Sequence, residues 1–282
     1  MDKLREEKIF KALMISSLAI VVGSLFMVAG VIVWNGAPAL SLSMVTQLPK
    51  GGYYLGKEGG ILNAIVGSLY LAFGSLILAL MISLPAALSL QKDYIGKTKA
   101  AYYIRLSLDV LWGTPSIVYG AFGFIIMLYL GMRASLLGGI IVLTLLQLPI
   151  MIRTMEEVIK MVPAELKEAS YTLGATRFET TTGVVVRQAL PGIVTAVILA
   201  FGRGIGDAAS ILFTAGYTDS LPRSLFDPVA SLPLAVFFQL GTPFPEVQQR
   251  AYASALILLL IVLALSLTSR YLSRKFKKNI IR

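Results

Sequence analysis

Residues 164–174 read Ala164-Glu165-Leu166-Lys167-Glu168-Ala169-Ser170-Tyr171-Thr172-Leu173-Gly174, directly after Pro163. The stretch is strong in helix formers, proline suits a first helical turn, and glycine suits a helix stop. It predicts a short helix closed by a glycine turn. A second helical stretch begins near Thr176 and runs toward Leu190-Pro191. The setting is unusual. This mixed-charge connection, Arg153–Ala189, joins two long apolar runs, where most connections are short. The residues alone leave two readings open: an amphipathic helix resting on lipid headgroups, or a docking surface for a soluble partner.

Outward from this loop the chain is apolar. Of 282 residues, 56% are hydrophobic and 14% charged, and mean hydropathy is +0.79. Soluble domains carry about a quarter charged residues, so a soluble enzyme and a disordered chain are both excluded. A span needs roughly 20 apolar residues. Six runs qualify: Ala12–Trp34, Asn63–Leu90, Arg105–Leu130, Ser135–Ile152, Gly192–Thr214 and Ala251–Tyr271. The first is too long for a signal peptide and reads as a retained anchor. Ser224–Leu240, broken by Pro228 and Pro233, reads as a loop with a short helix at the membrane surface or re-entering it. Three segments follow: an anchor helix and outer loop over 1–62, a helical domain over 63–272 with its loop at 153–190, and a basic tail over 273–282.

The net charge of +10 is read as orientation, with lipid rather than nucleic acid as the partner. Nineteen Lys and Arg fall on the side of the termini and of the second and fourth connections, against five on the other. Both termini are therefore expected in the cytoplasm. The chain has no Cys and no His, which excludes a thiol nucleophile, a Cys/His zinc site and a His general base. Gly96-Lys97-Thr98 lacks the earlier glycine of a phosphate-binding loop, since Gln91 stands there. ATP chemistry, if used, belongs to another polypeptide.

Glu168-Ala169-Ser170, three residues, then Gly174 resembles the motif of the permease subunits of ATP-binding-cassette (ABC) importers, Glu-Ala-Ala, three residues, Gly. That family continues nine residues later with Ile-x-Leu-Pro, where this chain has Val184, Val185, Val186 and Arg187. Gly60–Ser68, Thr114–Gly120 and Arg203–Ala209 with Leu212-Phe213-Thr214 are similar to the phosphate-specific branch, in particular its permease subunit with the short outer loop. The resemblance implies an all-α membrane protein, a six-helix type I ABC importer permease bundle. It implies Glu168, Ala169, Ser170 and Gly174 as the ATPase-coupling residues. It also implies three kinds of partner: a second homologous permease subunit, an ATPase dimer and an extracytoplasmic phosphate-binding protein. No cofactor is expected in this chain; ATP is expected on the ATPase.

Polar residues inside spans are expensive and mark function or bracing. Arg203 and Asp207 lie four apart, on one helix face. They read either as an internal salt bridge or as a lining pair for an oxyanion, which five guanidinium donors suit. The acidic position is commonly glutamate in the phosphate branch; Asp207 is shorter. Gly202 and Gly206 read as a helix-packing face. Arg105 and Asp109 read as an interfacial pair. Asn63, Ser68, Thr114, Ser116, Tyr119 and Gln147 are neutral candidates for the path, and Pro85, Pro115 and Pro149 for kinks.

Overall fold

A computed structural model describes residues 3–50 and 58–277. The glycines Gly51-Gly52 and Lys57 of the outer loop lie outside the described residues, as do the side chains of the basic tail. Helix α1 (Lys3–Gly36) leads through a 3-10 turn (Ala37–Ala39) and α2 (Leu42–Thr46) into a small antiparallel ribbon of β1 (Pro49–Lys50) and β2 (Glu58–Gly59), with Pro49 opposite Gly59. Next come α3 (Leu62–Ser89), α4 (Lys99–Gly113), α5 (Ser116–Tyr129) and α6 (Leu136–Lys160). The loop carries α7 (Ala164–Thr172) and α8 (Arg177–Thr180), and a π-helical turn (Thr181–Val185) feeds α9 (Val186–Gly206). Helices α10 (Leu232–Leu240) and α11 (Pro245–Lys277) complete the chain. Among the described residues, five helices are long and apolar enough to cross a membrane, and α4 with α5, a bent pair, would make a sixth if the two form one broken span.

Helix α6 is the axis of the bundle and is buried along most of its length. Its chief neighbour is α3, whose buried stripe is almost all small: Ala64, Ser68, Ala72, Ser75, Ala79, Ser83 and Ala87. Small residues let backbones approach, and close packing drives helix association in lipid, where hydrophobic transfer contributes little. Toward one end, Met151, Met155 and Ile159 of α6 meet Ala79 and Ala87 of α3 and Ala189, Ile193 and Ala196 of α9. Lys92, Lys97, Lys99, Lys160 and Lys167 lie on the elements at that end, which is the basic end of the bundle.

Three expected spans change shape. The fourth, expected over Ser135–Ile152, continues as α6 to Lys160, because nothing breaks the helix before Pro163. The third is two helices meeting at 104°, more than the expected kink at Pro115. Proline disfavours helical geometry in the residue before it. Thr114 (ψ 131°) and Pro115 (ψ 139°) are both extended, and two such residues part the helix. The Tyr119 hydroxyl donates to the Leu111 carbonyl across the break at 2.9 Å.

The fifth span, expected to Thr214, stops at Gly206 with Asp207 extended (φ −83°, ψ 121°). Residues 207–231 fold back as turns, with Ser210–Ala215 and Val229–Ser231 mostly buried in the bundle and Arg223–Phe226 exposed. Irregular backbone is tolerated at membrane depth only where protein buries and satisfies it. Here the N–H groups of Ser135, Leu136 and Leu137, orphaned at the start of α6, donate to Thr214, Asp227 and Leu225 carbonyls at 2.8–2.9 Å, and Val229 N–H donates to Ala215. Two glycines admit the segment. A Cβ at Gly67 would run into the Ala230 carbonyl, and one at Gly120 would stand 2.7 Å from the Ser210 carbonyl oxygen. Helix α10 then re-enters the bundle, with Leu232, Leu234 and Ala235 fully buried.

Gly120→Leu should therefore lower stability by about 1–3 kcal/mol, the usual penalty of overpacking, and expose 207–231 to protease. Gly23→Ala, beside open space in α1, should do neither. Thermal unfolding in detergent with limited proteolysis reads both.

Candidate functional site

The chain offers two candidate regions, one at the basic end and one at mid-depth. At the basic end, α7 closes through paired terminal hydrogen bonds: Gly174 N–H to Tyr171 O (3.0 Å) and Ala175 N–H to Ser170 O (3.2 Å). This closure needs a left-handed residue, and Gly174 has φ +85°. One residue after Ala175, Thr176 opens α8 with a capping box. Its N–H donates to Glu179 Oε2 (2.8 Å), and Glu179 N–H donates back to the Thr176 hydroxyl (3.3 Å). Ser170 and Thr180 hydroxyls, 2.9 Å apart, tie the two helices. Helix α7 buries no residue, and Leu173 and Phe178 project 88% and 72% exposed. Glu168, Ala169 and Gly174 are exposed, and Ser170 is half-buried. The expected coupling residues thus share one rigid, outward hairpin.

The hairpin is bolted to the 90–98 loop. Lys167 Nζ meets Asp93 Oδ2 at 3.0 Å. Arg177 donates to the Asp93 carbonyl at 3.2 Å, and the Tyr94 and Thr181 hydroxyls are 3.0 Å apart.

Behind it lies a carboxylate that the sequence reading missed. Glu156, fully buried on α6, takes Arg105 Nε (2.7 Å) on one oxygen with Lys160 Nζ (3.0 Å), and Arg153 Nη1 (2.8 Å) on the other. The expected Arg105–Asp109 pair is not formed. Asp109 faces Arg153 at 2.8 Å instead, and Arg105 also donates to the Leu90 and Gly96 carbonyls at 2.7 and 3.1 Å. The local pair lost to a tertiary one because α6 continues past Ile152 and carries Glu156 against α4. The signal was present in an unbroken apolar spacing at Ile152, Met155 and Ile159.

The mid-depth region is where α9 ends. A Cβ at Gly204 would run into Gln147 Nε2, and Gln147 sits near the middle of α6, fully buried and donating to Ser75 Oγ at 2.9 Å. So Gln147 braces three helices. Arg203 beside it is exposed. The expected Arg203–Asp207 salt bridge is not formed, because the helix stops between them. Asp207 is half-buried and its Oδ1 accepts from Ser210 N–H at 2.7 Å. Among the described residues Arg203 makes no hydrogen bond or ion pair. The face of Thr195, Leu199, Arg203 and Gly206 is exposed. Cβ atoms at Gly202 and Gly206 would meet nothing, so among the described residues no helix packs closely on them. Half-buried Thr114 and Ser116 flank the α4–α5 break, and buried Tyr119 shares a cluster with Ala208 and Ile211.

Two expected path residues lie elsewhere. Asn63 is buried and donates to the Thr218 carbonyl at 2.6 Å, while the Ser68 hydroxyl accepts from Leu232 N–H at 2.7 Å. Both hold the infolded segment and α10 onto α3.

Glu156→Gln should destabilise the chain by about 2 kcal/mol, below the 3–5 typical of broken buried pairs because Arg105 and Arg153 are 25% and 21% exposed. Thermal unfolding of the purified variant checks this; an unchanged midpoint would mean that the cluster braces nothing.

The family described as binding-protein-dependent transport system inner membrane component matches residues 84–278. The chain is 34% identical over 245 residues to the phosphate transport system permease protein PstA of Yersinia pestis, spanning 87% of this chain and 82% of that protein. It is 31% identical over 265 residues to a probable ABC transporter permease protein of Bacillus subtilis, YqgI, spanning 88% of both. Among solved structures, the inward-facing MetNI methionine ABC transporter matches with a TM-score of 0.64 over 77% of this chain and 95% of that one, at 19% identity. That last likeness is one of fold. By the residues matched and by the length of its relatives' likeness, the chain belongs to the inner membrane components of binding-protein-dependent transport systems.

Proposed function

We propose that the chain is one permease subunit of an ATP-driven importer of inorganic phosphate, with both termini cytoplasmic and the basic end facing the cytoplasm. The observation that carries this reading is Arg203. A lone guanidinium at mid-depth costs about 2.5–3.5 kcal/mol against lipid, so its exposed face belongs against a second permease subunit or a watery path between the two. Five donors in a fixed fork suit a tetrahedral oxyanion.

Asp207 supports the choice of phosphate. With Oδ1 engaged by Ser210 N–H, its other oxygen is left to accept the hydroxyl proton of a protonated phosphate. Sulfate carries no such proton near neutral pH. Thr114, Ser116 and Tyr119 stand with Arg203 and Asp207 along this path, whereas Asn63 and Ser68 act behind it.

Transport in this reading is alternating access. A separate extracytoplasmic phosphate-binding protein delivers substrate. A cytoplasmic ATPase dimer, which binds the ATP, seats on the hairpin around Glu168, Ala169, Ser170 and Gly174. Closure of the ATPase pair shifts the hairpin, and rigid helices carry the shift to the path. The hairpin's bolts to the 90–98 loop suit it to act as one body.

The test is ATP hydrolysis by the complex reconstituted in liposomes with its second permease, ATPase and binding protein. Phosphate should stimulate it, while sulfate and molybdate should not. Stimulation by a rival anion alone would overturn the phosphate assignment. Arg203→Gln should cut uptake at least about tenfold, the loss of one charge-assisted contact, with abundance unchanged; equal falls in both would make Arg203 a brace. Gly174→Arg should abolish ATPase association while leaving insertion intact, and retained association would remove the hairpin from the interface.

A further inference from the structure

Beside the hairpin lies a polar cavity of about 660 Å³ that the path does not use. Its walls are Lys92, Asp93, Tyr94 and Lys97 of the 90–98 loop and Tyr171, Ala175, Thr176 and Arg177 of the hairpin. Lys92, Lys97 and Arg177 are exposed. No carboxylate among the described residues pairs with any of the three. The acids nearby are already engaged: Asp93 by Lys167 at 3.0 Å, and Glu179 by the N–H and hydroxyl of Thr176 at 2.8 and 2.7 Å. The cavity therefore presents three unmatched positive charges.

We infer that the 90–98 loop is a second docking element for the ATPase, and that this cavity receives an acidic segment of that subunit. The inference rests on the docking role proposed for the hairpin, and it names chemistry that role leaves open. Three features select the occupant. The cavity is shared between loop and hairpin, so a body seated on Gly174 reaches it. Lys167–Asp93, Arg177–Asp93 and Tyr94–Thr181 contacts hold its two walls at fixed separation. Finally, Tyr94 and Tyr171 are 40% and 36% exposed, and with Arg177 they are residue types that protein interfaces favour. Charge complementarity of this kind speeds encounter and fixes register. The cavity gives the ATPase a second point of grip, which restrains rotation about the hairpin.

The experiment measures ATPase affinity for the full permease pair in nanodiscs across ionic strength, with lipid either zwitterionic or rich in phosphatidylglycerol. Lys92→Glu with Lys97→Glu should weaken association about tenfold or more at low salt in both lipids. The gap should close as salt screens the charges over about 3 Å at 1 M. Lys92→Gln with Lys97→Gln should fall between. These side chains are exposed, so the unfolding midpoint should stay put. Unchanged affinity and salt slope, with Gly174→Arg still abolishing binding, would overturn this inference and leave the hairpin's role standing. Intact binding in Gly174→Arg would instead remove the hairpin reading itself. A defect seen only in phosphatidylglycerol nanodiscs would make the cavity a headgroup contact and overturn the inference too.

Discussion

Backbone amides and carbonyls at membrane depth must be paired within the protein, and the molecule is arranged around one place where that demand is acute. Helix α9 stops at Gly206, near the level of Gln147, and leaves 25 residues, 207–231, to be satisfied before α10 begins. The start of α6 supplies donors, α3 and α5 supply glycines for close approach, and Asn63 and Ser68 pin the segment from behind. Because the helix stops there, Asp207 turns back on Ser210 and Arg203 keeps its guanidinium unspent. The lone charge is thus a product of the break. A continuous helix would have set the two side chains one turn apart, where they could neutralise each other.

At the other end the ordering principle is ionic. A buried carboxylate is tolerated when paired and hydrogen-bonded, and Glu156 has three cations on two oxygens. Two of those cations reach further, Arg105 to the carbonyls closing the 90–98 loop and Arg153 to Asp109 of α4. The hairpin is not part of this cluster, but Lys167 and Arg177 fasten it to the same loop through Asp93. A continuous chain of contacts therefore runs from α7 through the 90–98 loop to α4 and α6. Helix α4 leads to the break at Thr114-Pro115, which the Tyr119 hydroxyl spans.

Much of this was legible in the residues. Apolar runs located the spans, and Pro163 and Gly174 bracketed a helix whose bounds came out as Ala164–Thr172. The glycine stop was chemical, since a left-handed closing residue selects glycine. Other features were illegible for physical reasons. Hydropathy does not distinguish helix from buried turn, so Ala208–Thr214 read as span. Proline marks a disturbance but not its angle, and Pro115 turned a kink into a 104° break. Sequence spacing suggested a pair at Arg105–Asp109 and left a pair open at Arg203–Asp207. In one case a partner on another helix offered a fully buried oxygen, and in the other the helix ended between the pair. The variant at Val184–Arg187 has a visible result: without proline at 187, the helix passes uninterrupted from α8 through a π-helical turn into α9.

Helix α1 has a bearing on how the protein is made. Its apolar body is largely exposed, and the helix it packs on is α11, where Gly36 lies against the Tyr252 backbone. Some 208 residues separate the end of α1 from the start of α11. At about 5–20 residues per second of synthesis, α1 resides in the bilayer for roughly 10–40 s before that neighbour exists. Its uniform apolar surface suits the wait, since a helix holding polar groups for a later partner would be costly to leave bare in lipid. Insertion of α1 and its packing into the bundle are thus separate events in the protein's biogenesis, and the second is timed by the arrival of α11.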